Sequence, residues 1–188
     1  LWLCFFIGAG AGLMVIGFAS SLAKKSLGEM AFIAVAILAI GNAGGRIVAG
    51  IVSDRIGRRQ TLLLFLTCQA VLMFAGLALT QADHPSAVLI VLLATGIGFN
   101  YGTNLSIFPA VAKDLYGFKN YGLNYGVLFT AWGVGGFVLA RVSQMLSTKS
   151  GNFDACFTLA GVLLLVGAGL PFLLKKGEAA GVAADVNR

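Results

Sequence analysis

Charge is scarce in this chain. Asp, Glu, Lys and Arg make up 11% of its 188 residues, where soluble domains carry about 25%. A soluble protein of this size needs a polar surface, and the few charges here cannot supply one, which excludes a soluble globular domain. Proline is scarce as well, at 3 residues, and histidine occurs once, as His84. That lone His sits in a short polar gap before Pro85, which leaves no Ser–His pair at membrane depth and argues against an intramembrane hydrolase. Cys4, Cys68 and Cys156 each lie inside an apolar run, with no metal-type spacing among them. They read as small buried hydrophobes, and neither a metal nor a cofactor is expected.

What the chain does have is apolar length. Hydrophobic residues reach 59%, and 26 glycines accompany them, a composition that suits closely packed membrane helices. The fold class expected is all-α integral membrane. The net charge of +6 invites a nucleic-acid reading, but the basic residues fall in short gaps between apolar runs, as the positive-inside bias predicts for cytoplasmic loops. The expected partner is the lipid bilayer and not nucleic acid.

A membrane crossing takes about 20 mostly apolar residues. Six stretches qualify, at 1–23, 30–52, 60–80, 86–112, 121–147 and 153–174, separated by polar gaps at 24–29, 53–59, 81–85, 113–120 and 148–152. The stretch 1–174 thus reads as a six-helix transmembrane bundle, and the small, polar residues 175–188 as a disordered tail. Leu1-Trp2-Leu3-Cys4 is already apolar, with no basic segment before it, so no signal peptide is read and the sequence is expected to be a piece of a longer protein. The gaps on one side, with the start of the tail, hold Arg55, Arg58, Arg59, Lys113, Lys119, Lys175 and Lys176, against Lys24, Lys25 and Lys149 on the other. This places the first set, and both termini, in the cytoplasm of a multi-pass protein of the cell membrane.

The fourth and fifth spans are the least uniform. Gly96, Gly98 and Gly102 lie among Asn100, Tyr101 and Asn104 ahead of Pro109, and Gly133, Gly135 and Gly136 follow Trp132. Proline and glycine loosen a helix, and interrupted helices are tolerated where they line a cavity. The alternative for the glycines is close packing of helices, with Gly98–Gly102 and Gly122–Gly126 as the spaced pairs, and this is the preferred reading. Asn100 and Asn104 stack four apart on one face and read as cavity lining.

Two basic residues fall inside spans. Arg141 lies near the outer end of the fifth, where snorkelling to the interface is an even alternative to function. Arg46 lies some seven residues, about 10 Å, from the cytoplasmic end of the second, with Asn42 and Gly50 one turn to either side. A guanidinium within a span costs about 2.5 to 3.5 kcal/mol on insertion scales, so it needs a reason. All seven acidic residues fall in gaps, the tail or span ends, which leaves a transported anion as the counter-ion for Arg46.

The segment Gly50-Ile51-Val52-Ser53-Asp54-Arg55-Ile56-Gly57-Arg58-Arg59 resembles the loop signature of the major facilitator superfamily. Its physics is readable: Gly50 permits close helix approach, Asp54 pairs with a basic residue or a helix N-terminus, Gly57 turns the chain, and Arg55, Arg58 and Arg59 stay on the inner surface. The resemblance implies helices seven to twelve of a twelve-helix carrier, whose missing N-terminal six-helix half would be a partner, and alternating access around a midplane site. Within that superfamily, residues 120–133 and Gly44-Gly45-Arg46 resemble the oxalate/formate antiporter and related monocarboxylate carriers. That likeness implies a small carboxylate anion as substrate and Arg46 as the cation that binds it, with Asn42, Asn100, Asn104, Tyr101 and Trp132 as further binding candidates. Asp54 with Arg55, Arg58 and Arg59 would serve gating, together with Gly50 and Gly57. Two departures bear on substrate. Proton-coupled monocarboxylate carriers tend to have an acidic residue where Asn42 stands, and dianion carriers are expected to hold a second cation where Trp132 stands, which favours a monocarboxylate over oxalate. A drug or sugar carrier of the same superfamily, and a membrane subunit without transport activity, remain as alternatives.

Overall fold

Within the bilayer an apolar run satisfies its backbone polar groups as a helix. The computed structural model describes residues 1–27, 31–82, 86–150 and 153–173, and these are helical apart from short turns. Six α-helices follow one another: α1 (Trp2–Leu27), α2 (Ala31–Ile56), α3 (Arg58–Thr80), α4 (Ala87–Tyr116), α5 (Tyr121–Ser150) and α6 (Asp154–Gly169), the last tightening into a 3-10 turn at Leu170–Leu173. Five of them hold stretches long and apolar enough to cross a membrane, and α1 adds the apolar stretch Trp2–Gly17. The protein is a multi-pass membrane protein. The expected tail 175–188, with Lys175 and Lys176, and also Glu29, Asp83 and His84, lie outside the described residues.

Each expected span corresponds to one helix, but the helices run further than hydropathy suggests. The stretch 53–59, expected as a loop, is helical on both sides of Gly57. Arg58 explains this, since its guanidinium bonds the side chains of Ser53 and Asp54 and so holds the last turn of α2. Gly57 alone makes the turn, at φ 89°, where a side chain would be strained. Residues 113–116 and 148–150, expected in gaps, likewise continue α4 and α5.

Nor is α4 or α5 interrupted: α4 runs unbroken through its glycines and Pro109, and α5 through Gly133, Gly135 and Gly136. The glycines let backbones meet instead. A side chain on Gly45 would strike the Phe99 carbonyl, one on Gly98 the Leu38 carbonyl and one on Gly102 the Asn42 carbonyl, while a Cβ at Gly41 would lie 2.5 Å from the Thr95 oxygen. The backbones of α2 and α4 therefore touch along several turns, the small-residue packing of membrane helices. A similar contact joins α1 to α5, where a Cβ on Gly135 would sit 2.6 Å from the Phe6 oxygen. Gly122 and Gly126 meet nothing within 4 Å, so the packing expected of that pair is not made among the described residues. Gly50 is open as well, and the close approach expected of it is made by Gly45.

The helix pairing has an internal symmetry. α1 packs chiefly on α5 as α4 packs chiefly on α2, α1 meets α6 as α4 meets α3, and α3 and α6 pack on each other. Exchanging α1–α3 with α4–α6 maps this pattern onto itself. Three crossings separate the two repeats, so the second enters the membrane from the opposite side, the arrangement of an inverted repeat. α1 and α4 form the middle, α3 and α6 lie behind them, and α2 and α5 stand as flanks. Cys4 and Cys156 are buried in the apolar interior and Cys68 is half-buried, all as free thiols.

Candidate functional site

The extension of α2 to Ile56 moves Arg46 deeper than the hydropathy boundary implied. It lies ten positions before the end of its helix, about 15 Å at helical rise. Trp132 lies eleven positions after the start of α5, about 16 Å in from the same end, because α5 follows α4 through the short turn 117–120 and the ends of α2 and α4 are tied together by Arg58. Half of a hydrocarbon core is about 15 Å. Both residues sit near mid-depth.

Arg46 is exposed on α2 next to the buried Gly45 that packs on α4. Its Nε donates to Asn42 Oδ1 at 3.1 Å, so one amide one turn away fixes the plane of the guanidinium. Neither terminal nitrogen has a partner among the described residues, and an Arg presented this way offers a fork of donors to a carboxylate. Tyr101 of α4 is buried and carries the hydroxyl of this region. That hydroxyl accepts the indole N–H of Trp132 at 2.7 Å. With its oxygen engaged as acceptor, the Tyr101 O–H proton is free to donate. Four of the six expected binding residues thus form two hydrogen-bonded pairs, Asn42 with Arg46 on α2 and Tyr101 with Trp132 between α4 and α5.

Asn100 and Asn104 are placed elsewhere. Both are buried, and Asn104 faces α1 and α3: its Nδ2 donates to Gln69 Oε1 at 3.4 Å and to the Asn100 carbonyl at 3.2 Å, while its Oδ1 lies beside Gly8. Gln69 closes the group by donating to the Gly8 carbonyl at 3.3 Å. Asn100 donates to Gly96 on its own helix, and its Oδ1 is buried without a partner. The two amides stack four apart as expected, but no hydrogen bond joins either to Arg46 among the described residues. Asn104 and Gln69 tie α4, α3 and α1 together in the interior.

The loop-motif residues gather at the end where α2 stops and α3 starts. Arg58 donates from Nη1 to Ser53 Oγ at 2.5 Å and to Asp54 Oδ1 at 2.8 Å, and from Nε to Asp114 Oδ2 at 2.9 Å. Arg59 lies 4.9 Å from the centre of the Phe172 ring and bonds the Phe172 carbonyl at 3.2 Å. Arg55 is exposed. Sequence reading missed Asp114, because a carboxylate far along the chain gives no sign of its partner, and it missed Gln69 for the same reason. Arg141, on the exposed side of α5, is engaged by Gln144 at 3.0 Å.

The family profile described as Major Facilitator Superfamily matches residues 1–186. The chain is 32% identical over 129 residues to the uncharacterized MFS-type transporter YhjX of Escherichia coli, covering 66% of this chain and 31% of that protein. It is 30% identical over 136 residues to monocarboxylate transporter 13 of Rattus norvegicus, covering 72% and 31%. To the oxalate:formate antiporter of Oxalobacter formigenes it is 28% identical over 166 residues, covering 86% and 38%. The matched stretch spans about a third of the length of each relative.

Proposed function

This chain belongs to the major facilitator superfamily, and we propose that it is one six-helix half of a secondary transporter that moves a small carboxylate anion by alternating access. The observation that carries this is the Arg46 guanidinium at mid-depth, oriented by Asn42 with its two terminal nitrogens unpartnered among the described residues. A cation within a membrane span without a carboxylate beside it is costly, and an anion bound in transit neutralises it for part of the cycle. The names of several relatives point the same way: an oxalate:formate antiporter, a monocarboxylate transporter and a probable sulfoacetate transporter.

Helices α1–α6 then correspond to helices seven to twelve of the carrier, and the open side between α2 and α5 faces a second six-helix half that completes the cavity. The end holding Arg55, Arg58 and Arg59 is the cytoplasmic one by the positive-inside bias, which puts both ends of the bundle on the inner face of the cell membrane. Uptake of labelled formate, lactate and oxalate into vesicles holding the full-length carrier tests the reading. Arg46→Gln is expected to abolish uptake of every anion that the parent transports. Parental uptake by Arg46→Gln would remove the main support for an anion carrier.

A further inference from the structure

We propose that the transported anion pairs its single carboxylate with an apolar, preferably planar body that rests on Phe129 and Trp132. The inference rests on the carboxylate reading above and concerns the part of the substrate that Arg46 does not touch.

Trp132 is not an isolated ring. It stacks on Phe129, with centroids 5.4 Å apart and planes 12° from parallel. Phe129 meets Tyr125 at 5.6 Å, and Tyr125 lies parallel to Tyr121 at 5.7 Å. Four rings at positions 121, 125, 129 and 132 thus climb one flank of α5 from its start to the depth of Arg46. The Trp132–Tyr101 hydrogen bond and the 6.0 Å approach of Phe129 to Phe5 turn that flank toward α4 and α1, so it borders the same open side as Arg46. Phe129 is exposed there and Trp132 half-buried. The indole N–H is consumed by Tyr101, which leaves apolar ring surface for a ligand to cover.

Charge agrees with shape. At this depth Arg46 is the one cation that faces the open side among the described residues. The next cation along α5, Arg141, stands nine positions beyond Trp132, about 13 Å further on, and is bonded to Gln144. A second carboxylate would therefore be desolvated against aromatic rings with no cation to meet it, which is unfavourable. An aryl or alkyl group in the same place gains by burial and by offset stacking.

The test is a series of acids competing for uptake by the full-length carrier in vesicles: formate, acetate, butyrate, phenylacetate and oxalate. Each buried methylene is expected to tighten half-saturation by about fourfold, so phenylacetate should exceed formate by at least about tenfold, with oxalate the weakest. Phe129→Ala should shrink the phenylacetate-to-formate ratio several-fold, whereas Phe137→Ala, two turns further along on an exposed position, should retain it. Oxalate or formate binding as tightly as phenylacetate, or a ratio unmoved by Phe129→Ala, would overturn the proposal while leaving an anion carrier in place. Indifference of the whole series to Arg46→Gln would instead remove the carboxylate reading on which it stands.

Discussion

Arg58, the first residue of α3, reaches Asp114 near the end of α4, its Nε 2.9 Å from Oδ2, while its Nη1 holds Asp54 at the end of α2 at 2.8 Å. One guanidinium therefore fastens three helix ends at the basic end of the bundle. It acts as a clamp, because α2 and α4 are a pair whose backbones touch.

A clamp at a mouth acts on the rate of opening and not on a ligand about 15 Å away. The side chains are partly exposed, at 30% for Arg58 and 46% for Asp114, so each ion pair contributes at most about 1 kcal/mol to stability. Asp54→Asn and Asp114→Asn in the full-length carrier should slow exchange several-fold and leave half-saturation within about twofold. Initial-rate measurements over a range of anion concentrations separate the two. A large loss of affinity at unaltered turnover would place these residues in the binding site instead.

The backbone contact of α2 with α4 makes a sharper claim about stability. Gly45→Ala and Gly102→Ala each push a Cβ into a carbonyl on the neighbouring helix, an overpacking that costs about 1 to 3 kcal/mol. Gly44→Ala and Gly122→Ala add the same atom where nothing lies within 4 Å. Thermal unfolding of the detergent-solubilised protein should show a lowered midpoint for the first pair only. Equal behaviour of all four would mean that the helices do not touch as described.

The outcome at these glycines shows what the sequence can carry. Number and order of the helices were legible because a membrane crossing is set by hydrophobic length, and Gly98 and Gly102 were legible as packing residues from their spacing. Helix ends were not, since Ser53 and Asp54 look like loop residues until Arg58 is seen to bond both. The same limit separates the polar residues. Asn42 bonds Arg46 and Tyr101 bonds Trp132, but Asn104 turns toward Gln69 and Asn100 bonds its own helix, and helical spacing alone cannot say which neighbour a face will meet.

That placement of Asn104 leads to a prediction in which stability and affinity part. Asn104→Leu removes a bond to Gln69 and leaves the Gln69 carbonyl oxygen without its donor, in a region where interhelical hydrogen bonds contribute about 0.6 to 2 kcal/mol. The unfolding midpoint should fall by a few degrees while half-saturation for the transported acid stays within about twofold. If affinity drops tenfold with the midpoint unchanged, Asn104 touches the substrate after all.

Asn42 holds the last prediction, because its position relative to Arg46 decides what the guanidinium is free to do. A neutral amide accepts one N–H from Arg46 and leaves the positive charge uncompensated. Asn42→Asp would put a carboxylate at the same 3.1 Å contact, forming an internal ion pair that competes with the anion. The sign of the pH effect follows. Above the pKa of the new carboxylate, Arg46 is neutralised from within and anion affinity falls; below it, the protonated acid resembles the original amide and affinity recovers. An ion pair with Arg46 holds that pKa at or below the ordinary Asp value of about 3.9, so half-saturation of the variant should be worse than that of the parent by tenfold or more from pH 5 to pH 8 and recover only as pH falls through about 4. Arg46→Lys gives the complementary result, since an ammonium keeps the charge but loses the fork, so binding should weaken at every pH without acquiring a slope. Parental half-saturation for Asn42→Asp at pH 7 would mean that Asn42 does not govern the charge that Arg46 presents, and the oriented guanidinium would lose its role in anion capture.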